Sequence, residues 1–268
     1  MELIEKKYDK YYTKVDIVTE LIKHIDFSKF SIAIEPSAGC GNFSNNIPIK
    51  CISFDIKPED DEKEIIEADF LEININEYLD NDDKVIVIGN PPFGRQASLA
   101  VKFFNKSALI KNTICIAMIL PKSFKKSSIK NRLNLDFTLS QELELKKYSF
   151  TYGGKDYDVP CIFQIWMRTS IKRKKDPKFK LCDKFQFVIE KDCNVDTIAF
   201  RRVGVYAGKA SLYSKQSKQS HYFLTCSDEI IIIKDLLHNL NSIKWEHNNT
   251  TGPRSISKNE LIEKLNMM

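Results

Sequence analysis

The stretch from Lys84 to Gly94 constrains the fold most, because a short apolar run leads there into a proline-rich turn. Val85–Ile88 is β-branched throughout, which is typical of a buried parallel strand. In the turn Gly89-Asn90-Pro91-Pro92-Phe93-Gly94, two prolines fix the backbone and remove two amide donors. Ligands of open α/β sheets bind at the carboxyl ends of the strands. The stretch therefore predicts a parallel α/β sheet with a ligand site at this turn.

The residue types of the turn suit a planar substrate that carries an amino group. The Asn90 side chain and the Pro91 backbone offer two carbonyl acceptors, and Phe93 adds a flat apolar face. A ring-bound amine is a poor nucleophile because its lone pair is delocalised, and two acceptors on its N–H groups favour a tetrahedral, reactive nitrogen. One such preorganised contact is typically worth about 10²–10³ in rate. A rigid strand-to-helix turn without chemistry is the alternative interpretation.

Two further predicted strands precede this one, and both end in residues suited to a nucleoside. Ser31–Glu35 runs into the glycine-rich turn 36–43, and Cys51–Asp55 ends in an acid. Asp55 follows Glu35 by 20 positions, close to the spacing at which an acid binds a ribose diol. The turn contains no basic residue, which favours a nucleoside without phosphates over a pyrophosphate. A surface acid is the alternative role for Asp55.

The remaining pattern completes an α/β unit. A third upstream strand ends at Asp69-Phe70, an acceptor beside an aromatic ring that could hold a purine or merely begin a loop. Helical spacing predicts Val15–Ile25, with Thr13 and Asp16 as an N-cap pair. Further predicted elements are a helix over Ala97–Leu109, a strand over Thr113–Leu120, an antiparallel edge pair over Phe137–Phe150 and Val159–Met167, and a flexible tip between that pair over Thr151–Lys155.

A charged run that ends in Pro177 predicts a domain boundary, with a catalytic domain over 1–172 and a small C-terminal region over 173–268. Residues 1–90 hold 10 basic and 20 acidic residues, whereas residues 91–268 hold 31 and 16. The resulting net charges, −10 and +15, favour a phosphate backbone as partner of the second part, with Arg201 and Arg202 as candidate contacts. A solvated lysine-rich surface would give the same count. Ser257 and Glu260 form a capping-box pattern that predicts a last helix.

Composition argues against a disulfide-linked, metal-binding, secreted or membrane-spanning protein. The seven cysteines include no Cys-x-x-Cys pair and the four histidines have no ligand spacing, so we expect free thiols, a reducing compartment and no metal. The N-terminus lacks an apolar signal segment, and no apolar run reaches the roughly 18 residues of a membrane span. These features predict a cytoplasmic chain.

The order of these pieces resembles the adenine-N6 methyltransferases, above all the γ-type DNA enzymes. Asn90-Pro-Pro-Phe93 matches their catalytic motif, Glu35-Pro-Ser-Ala-Gly-Cys-Gly-Asn-Phe43 their glycine-rich motif, and Thr13 their N-terminal motif. The resemblance implies a Rossmann-like fold with a mixed seven-stranded sheet, and base flipping with methyl transfer from S-adenosylmethionine to adenine N6. It assigns catalysis to Asn90, Pro91, Pro92 and Phe93, and cofactor binding to Thr13, Glu35, Pro36, Ser37, Gly39, Gly41, Asp55, Asp69 and Phe70. It also implies an aromatic that packs on the flipped base with Phe93, for which Phe150 and Tyr152 are both candidates.

Three other functions stay open beside DNA methylation. RNA adenine-N6 methyltransferases carry the same Asn-Pro-Pro-Phe sequence, and the basic residues do not distinguish the two nucleic acids. Protein glutamine-N5 methyltransferases need the same acceptors, but usually place a helical substrate domain before the core. A non-catalytic subunit of this fold tends to lose the catalytic asparagine or the glycine-rich motif, and this chain has both. DNA is the first expectation and RNA the second.

Overall fold

The computed structural model of the chain describes residues 11–59, 64–227, 233–245 and 253–268. The chain divides into two compact units, Met1–Asp176 and Pro177–Met268. None of the described helices has both the length and the apolar character that crossing a bilayer demands.

The first unit is built on a mixed seven-stranded sheet. Its strands and those of a smaller sheet are, in chain order, β1 Tyr12–Thr13, β2 Ile32–Glu35, β3 Cys51–Asp55, β4 Ile65–Glu67, β5 Val85–Gly89, β6 Thr113–Pro121, β7 Phe137–Glu144, β8 Phe150–Tyr152, β9 Lys155–Tyr157 and β10 Cys161–Arg168. The large sheet has the order β4-β3-β2-β5-β6-β10-β7, in which β10 alone runs antiparallel to its neighbours. This is the Rossmann-like class I methyltransferase fold, which confirms the prediction.

The central strand is buried on both sides, which explains its uninterrupted apolar sequence. Along β5, Val85 and Val87 pack into one core cluster together with helix α2 (Ser98–Leu109). The alternate residues Ile86 and Ile88 pack into a second cluster together with helix α1 (Val15–Ile22). Because successive side chains of a strand point to opposite faces, one apolar run supplies both cores. The polar turn that follows β5 is thereby fixed at the carboxyl edge of the sheet.

The N-terminal segment differs from its prediction. Helix α1 begins after Lys14, whose side chain makes no capping hydrogen bond, and it ends at Ile22 rather than Ile25. The predicted N-cap pair of Thr13 and Asp16 is therefore wrong. Thr13 instead lies in β1, opposite Phe150 of β8.

The predicted long strand Phe137–Phe150 is two strands. Tyr148 has a φ of 60°, a left-handed conformation that takes the chain out of β7 before β8 begins. The predicted flexible tip is a β-hairpin, in which β8 and β9 are joined by Gly153 and Gly154 at φ values of 55° and 72°. Two successive left-handed residues are what a two-residue hairpin turn requires. Strands β1, β8 and β9 form a separate three-stranded sheet.

The connection from β2 to β3 contains no helix among its residues, all of which are described. Residues 39–46 instead form consecutive turns, held by bonds such as Gly41 N–H to the Ala38 carbonyl at 2.8 Å and Asn45 N–H to the Gly41 carbonyl at 3.0 Å. The glycine-rich turn therefore lies directly against the end of the sheet. Helix α2 begins at Ser98, one residue after its predicted start, and a short helix α3 spans Ser127–Lys130.

The second unit is a small α+β structure. Its antiparallel sheet has the order β11-β14-β12-β13, from strands β11 Phe185–Val188, β12 Ile198–Arg201, β13 Ala210–Leu212 and β14 His221–Cys226. Helices α4 Ile233–Ser242 and α5 Lys258–Leu265 contribute Leu236 and Leu261 to its core. The predicted capping box opens α5, since the Ser257 N–H donates to Glu260 at 2.7 Å and the Glu260 N–H donates to Ser257 at 3.2 Å. The segment Ile230–Leu240, whose apolar pattern fits either a helix or a strand, lies partly outside the described residues; from Ile233 it is helical.

Candidate active site

A cavity of about 250 Å³ opens at the carboxyl edge of the large sheet. Its walls come from β1, the turn after β2, the end of β3, the segment after β4, the turn after β5 and helix α2. A second, much smaller cavity of about 10 Å³ lies beside the turn after β5, and Tyr11 and Asn90 line both. Because several strands end here, residues far apart in sequence form one site, as expected for ligands of parallel sheets.

The glycine-rich turn is fastened to the end of β3. The Gly39 N–H donates to Asp55 Oδ2 at 2.8 Å, and the Lys57 N–H donates to Asp55 Oδ1 at 2.8 Å. Gly39 has a φ of +57°, and a Cβ there would lie 3.2 Å from the Tyr12 ring. Gly41 is also left-handed, at 74°. The turn thus depends on glycine both for backbone conformation and for the close approach of β1.

Glu35, at the end of β2, is buried. Its side chain is 1% exposed, and Oε2 accepts a hydrogen bond from the Ser44 N–H at 2.9 Å. Burial raises the pKa of Glu35 to about 8, since desolvation disfavours the carboxylate. Next to it, Pro36 and Ser37 line the cavity. The Ser37 hydroxyl donates to the Asn90 backbone carbonyl at 3.0 Å, which ties the two turns together.

The segment after β4 provides an acid and an aromatic wall. Asp69 is exposed, and its Oδ1 accepts from the Leu71 N–H at 2.9 Å. Phe70 is 2% exposed and stacks on Phe103 of α2, with ring centroids 5.3 Å apart at 21°. All four residues line the cavity, so the stacked pair forms a flat apolar surface beside a carboxylate. Phe103 lies within the helix predicted over Ala97–Leu109, and its helical spacing predicts only that it faces the core.

Thr13 presents a buried hydroxyl at the wall of the cavity. The residue is 4% exposed, and its Oγ1 has no hydrogen-bond partner among the described residues. Its backbone carbonyl accepts from the Asn42 side-chain amide at 2.7 Å, which holds the segment in place. Since buried polar atoms are nearly always hydrogen-bonded, this orphan hydroxyl fits a polar ligand group.

Asn90 has a defined side-chain orientation. Its Nδ2 donates to the Tyr11 backbone carbonyl at 2.9 Å. A carbonyl can only accept, so the amide nitrogen must face Tyr11 and the amide oxygen must face away. Neither Asn90 Oδ1 nor the Pro91 carbonyl accepts a hydrogen bond from the part of the chain that the structure describes.

The turn after β5 divides its residues between the two cavities. Asn90 and Pro92 line the large one, whereas Asn90, Pro91 and Phe93 line the small one. Phe150 completes the small cavity and is 1% exposed. Tyr152 lines neither cavity and packs instead on Tyr11, at 5.3 Å between centroids. Of the two aromatic candidates, Phe150 is therefore the one beside Asn90.

The predicted arginines belong to the second unit. Arg201 Nε donates to the Val203 carbonyl at 3.1 Å, and Arg202 Nη2 donates to the Gln219 carbonyl at 3.0 Å. Arg202 also lies over the Tyr222 ring at 5.3 Å. Both guanidinium groups thus have structural contacts, and each retains further N–H donors.

Other residues of the site were not predicted from the sequence. They line the large cavity and include Tyr11, Tyr12, Asn42, Leu99 and Phe103. Asn42 lies within the glycine-rich motif, so its position was a usable signal; the other four carry no local signature. Among the described residues no three potential ligands cluster as a metal site, and the seven cysteines are free.

S-adenosylmethionine is the cofactor that this fold implies, and the residues of the cavity fit it. The unpartnered Thr13 hydroxyl and the exposed Asp69 carboxylate are polar groups for its amino-acid and nucleoside parts. Gly39 keeps open a space that a Cβ would narrow against Tyr12. The stacked rings of Phe70 and Phe103 suit a purine face.

Residues 44–175, just under half of the chain, match the family model of the EDM2 methyltransferase-like domain. The sequence matches none of the curated proteins. Together with the strand order, the family match supports a methyltransferase that uses S-adenosylmethionine.

Solved structures with partial similarity cover about three fifths of the chain. A provisionally assigned modification subunit of a type I restriction enzyme from Vibrio vulnificus YJ016 is 15% identical over 62% of this chain and 47% of its own, with a TM-score of 0.42. The 23S rRNA methyltransferase ErmE is 12% identical over 62% and 73%, with a TM-score of 0.43. PH1948 of Pyrococcus horikoshii, provisionally described as an RNA methyltransferase, is 16% identical over 60% and 88%, with a TM-score of 0.45. This chain spans about half of the first of these proteins, and similarities at this level carry no argument about its substrate.

Proposed function

We propose that this protein transfers a methyl group from S-adenosylmethionine to the N6 amino group of adenine in nucleic acid, with DNA as the first candidate substrate. The observation that carries the proposal is the orientation of Asn90. Its amide nitrogen is engaged by the Tyr11 carbonyl at 2.9 Å, which leaves Oδ1 directed elsewhere and available as an acceptor. Asn90 also lines both the cofactor-sized cavity and the small cavity beside it.

In this proposal the turn after β5 activates the amine. Asn90 Oδ1 and the Pro91 carbonyl each accept one N–H of the target amino group, and the nitrogen lone pair is freed towards the large cavity. S-adenosylmethionine, when bound, supplies an electrophilic methyl group. The amine nitrogen bonds to the methyl carbon as the carbon–sulfur bond of the sulfonium breaks, which leaves a neutral thioether. The nitrogen then releases one proton to water, so no side chain of perturbed pKa is needed as a base. Two preorganised acceptors at about 10²–10³ each carry much of the rate enhancement.

The residues of the large cavity hold the cofactor. Thr13 and Glu35 bind the amino-acid part, with Pro36, Ser37, Gly39 and Gly41 as the backbone wall. Asp55 binds the ribose hydroxyls through its carboxylate, which also accepts from the Gly39 and Lys57 N–H groups. Asp69 and Phe70 hold the adenine ring. These roles are carried over from the sequence resemblance. All of these residues except Gly41 line the large cavity, which supports the proposal.

Phe93 and Phe150 receive the target base. Extrusion of a base from a duplex requires a few kcal/mol. Stacking on an aromatic side chain contributes about 1–3 kcal/mol per base, so the two rings offset much of that requirement. The 10 Å³ volume of the small cavity requires that the rings move apart as the base enters.

The distribution of charge supports a nucleic-acid substrate. Residues 91–176 hold 17 basic and 6 acidic residues, and residues 177–268 hold 14 and 10. The net charges of these two segments are +11 and +4, so most of the basic surplus that follows the acidic residues 1–90 lies in the part of the first unit after Asn90. The smaller unit, with Arg201 and Arg202, is proposed to add substrate recognition. Phosphate contacts of this kind favour association with either DNA or RNA.

The test is methyl transfer from labelled S-adenosylmethionine to DNA, RNA and protein in parallel, followed by nucleoside and amino-acid analysis. We expect N6-methyladenine in DNA, and a loss of at least about 10²-fold in the Asn90→Ala variant, whose cofactor affinity by calorimetry is unchanged. Asn74→Ala is the matched control, because Asn74 is exposed and bonds only to Glu77. If N6-methyladenine appeared only in RNA, the substrate would be RNA and not DNA. If N5-methylglutamine appeared instead, adenine would not be the target. An Asn90→Ala enzyme as fast as the parent would refute the acceptor mechanism.

A further inference from the structure

The second inference rests on the proposed function and concerns what holds Asn90 in place. The Tyr11 carbonyl that accepts from Asn90 Nδ2 lies 79 positions earlier in the chain. An asparagine side chain can rotate about two bonds, and its amide offers either an acceptor or a donor to the substrate. Only the oxygen can accept from an amino group. The position of the Tyr11 carbonyl therefore determines whether the turn is competent.

Tyr11 is fixed by two other tyrosines. Its ring stacks on Tyr157 of β9, with centroids 5.3 Å apart at 29°, and packs on Tyr152 of β8 at 5.3 Å and 33°. Tyr152 and Tyr157 contact each other at 5.7 Å. The three rings form a closed cluster, which we name the tyrosine cluster. Aromatic pairs of this geometry contribute about 0.5–1.5 kcal/mol each beyond the area they bury.

Backbone and charge contacts align the same elements. Directly after Tyr11, β1 pairs with β8, with Thr13 opposite Phe150. The Lys14 N–H donates to the Ser149 carbonyl at 3.1 Å, and the Lys14 ammonium pairs with Asp156 of β9 at 2.7 Å. These contacts fix the register of β1 on the hairpin, and therefore the position of the Tyr11 carbonyl.

We propose that the small sheet β1-β8-β9 is a positioning element for catalysis, in which Tyr152 and Tyr157 act through Tyr11 to set the Asn90 amide. Tyr157 is the residue that tests this, since it is 43% exposed and lines neither cavity. The Tyr157 side chain is itself part of neither the cofactor wall nor the main core. A displacement of about 1 Å in a catalytic group can reduce the rate by about 10²-fold.

The experiment compares three variants of the full chain. Tyr157→Ala removes the ring, and Tyr157→Phe keeps the ring without its hydroxyl. Tyr148→Asn is the matched control, because Tyr148 is an exposed tyrosine just before the same hairpin, and asparagine tolerates its φ of 60°. We expect kcat for methyl transfer to fall about 10- to 100-fold in Tyr157→Ala alone, with cofactor affinity by calorimetry within twofold in all three.

A readout without catalysis separates this inference from the proposed function. Hydrogen exchange of the Asn90 side-chain amide can be followed by NMR after ¹⁵N-asparagine labelling, with the signal assigned by its loss in Asn90→Ala. We expect exchange at least about 10-fold faster in Tyr157→Ala and unchanged in Tyr157→Phe and Tyr148→Asn. Unchanged exchange in Tyr157→Ala, or an equal acceleration in Tyr148→Asn, would overturn the positioning role. If the parent methylates no nucleic acid, the proposed function fails and the exchange comparison still decides whether the cluster positions Asn90.

Discussion

Replacement of Glu35 by glutamine should remove a large part of the pH dependence of folding. Glu35 is 1% exposed at the end of β2, and burial raises its pKa from an ordinary 4.5 to about 8. The folded chain therefore keeps a proton that the unfolded chain releases at neutral pH. Glutamine preserves the shape of the side chain and an acceptor for the Ser44 N–H, but cannot ionise.

The sign and size follow from proton linkage. Between pH 4.5 and about 8 the native state binds one more proton than the unfolded state, so the free energy of unfolding decreases as pH rises. Each pH unit in that range corresponds to 1.36 kcal/mol for one group, which gives about 3 kcal/mol between pH 5.5 and 7.5. Below pH 4.5 both states hold the proton, and above pH 8 neither does, so the contribution is then constant.

The chain offers a reporter confined to the first unit. It has two tryptophans, the buried Trp166 of β10 and Trp245 in the second unit. In a Trp245→Phe background, fluorescence during urea unfolding follows Trp166 and therefore the unit that contains Glu35. Unfolding is measured at pH 5.5, 6.5 and 7.5 with and without Glu35→Gln. The exposed Glu72 provides a matched control, since Glu72→Gln should leave the pH dependence unchanged.

The comparison decides the protonation state of Glu35 directly. We expect the parent to lose about 3 kcal/mol more than Glu35→Gln across this pH range. Equal pH dependence in the two proteins would mean that Glu35 is ionised in the native state. In that case burial would not dominate the pKa of Glu35.

Three further changes test the site. Asp55→Ala removes the acceptor for the Gly39 N–H. The dissociation constant for S-adenosylmethionine, measured by calorimetry, should rise at least about tenfold, because a hydrogen bond to a charged group typically contributes about 1.5–3 kcal/mol. An unchanged dissociation constant would exclude Asp55 from the site. Thr13→Val removes a hydroxyl that has no hydrogen-bond partner among the described residues, so cofactor affinity should fall while the melting temperature of the free protein stays equal or rises. A lower melting temperature with unchanged cofactor affinity would show that the hydroxyl stabilises the fold instead. Gly94→Ala places a Cβ within 2.7 Å of the Leu99 side chain, at a residue whose φ is +66°. The free energy of unfolding should therefore decrease by about 1–3 kcal/mol, and both the melting temperature and the rate of methyl transfer should fall.

The parts of the fold that the sequence predicts are those set by local patterns. Val85–Ile88 was predicted as a buried strand because four successive β-branched residues suit a strand covered on both faces, and each residue is fully buried. The Ser257 capping box was predicted because both partners lie within one helical turn. The antiparallel edge pair was also predicted correctly, apart from its boundaries.

The parts that were missed depend on contacts between distant segments. Thr13 was assigned to a helix cap from its spacing to Asp16, yet its place is set by pairing with Phe150, more than a hundred residues away. Spacing alone also could not choose between Phe150 and Tyr152, because residues two apart in a strand point to the same side. Only the surroundings separate them, since Phe150 lines the small cavity and Tyr152 packs on Tyr11. Phe103 has an ordinary helical pattern, and only the stacking of Phe70 on its ring makes it part of the cavity.

Strand β1 and the residue before it show why no single motif could have revealed the site. Three successive residues contact three different parts of it: the Tyr11 carbonyl holds Asn90, the Tyr12 ring lies against Gly39, and the Thr13 hydroxyl faces the cavity. A strand of two residues has little stability of its own, so its geometry must come from the hairpin on which it lies. The acceptor at Asn90 and the cofactor wall at Gly39 are therefore coupled through one short segment, and a change in its register would alter both at once.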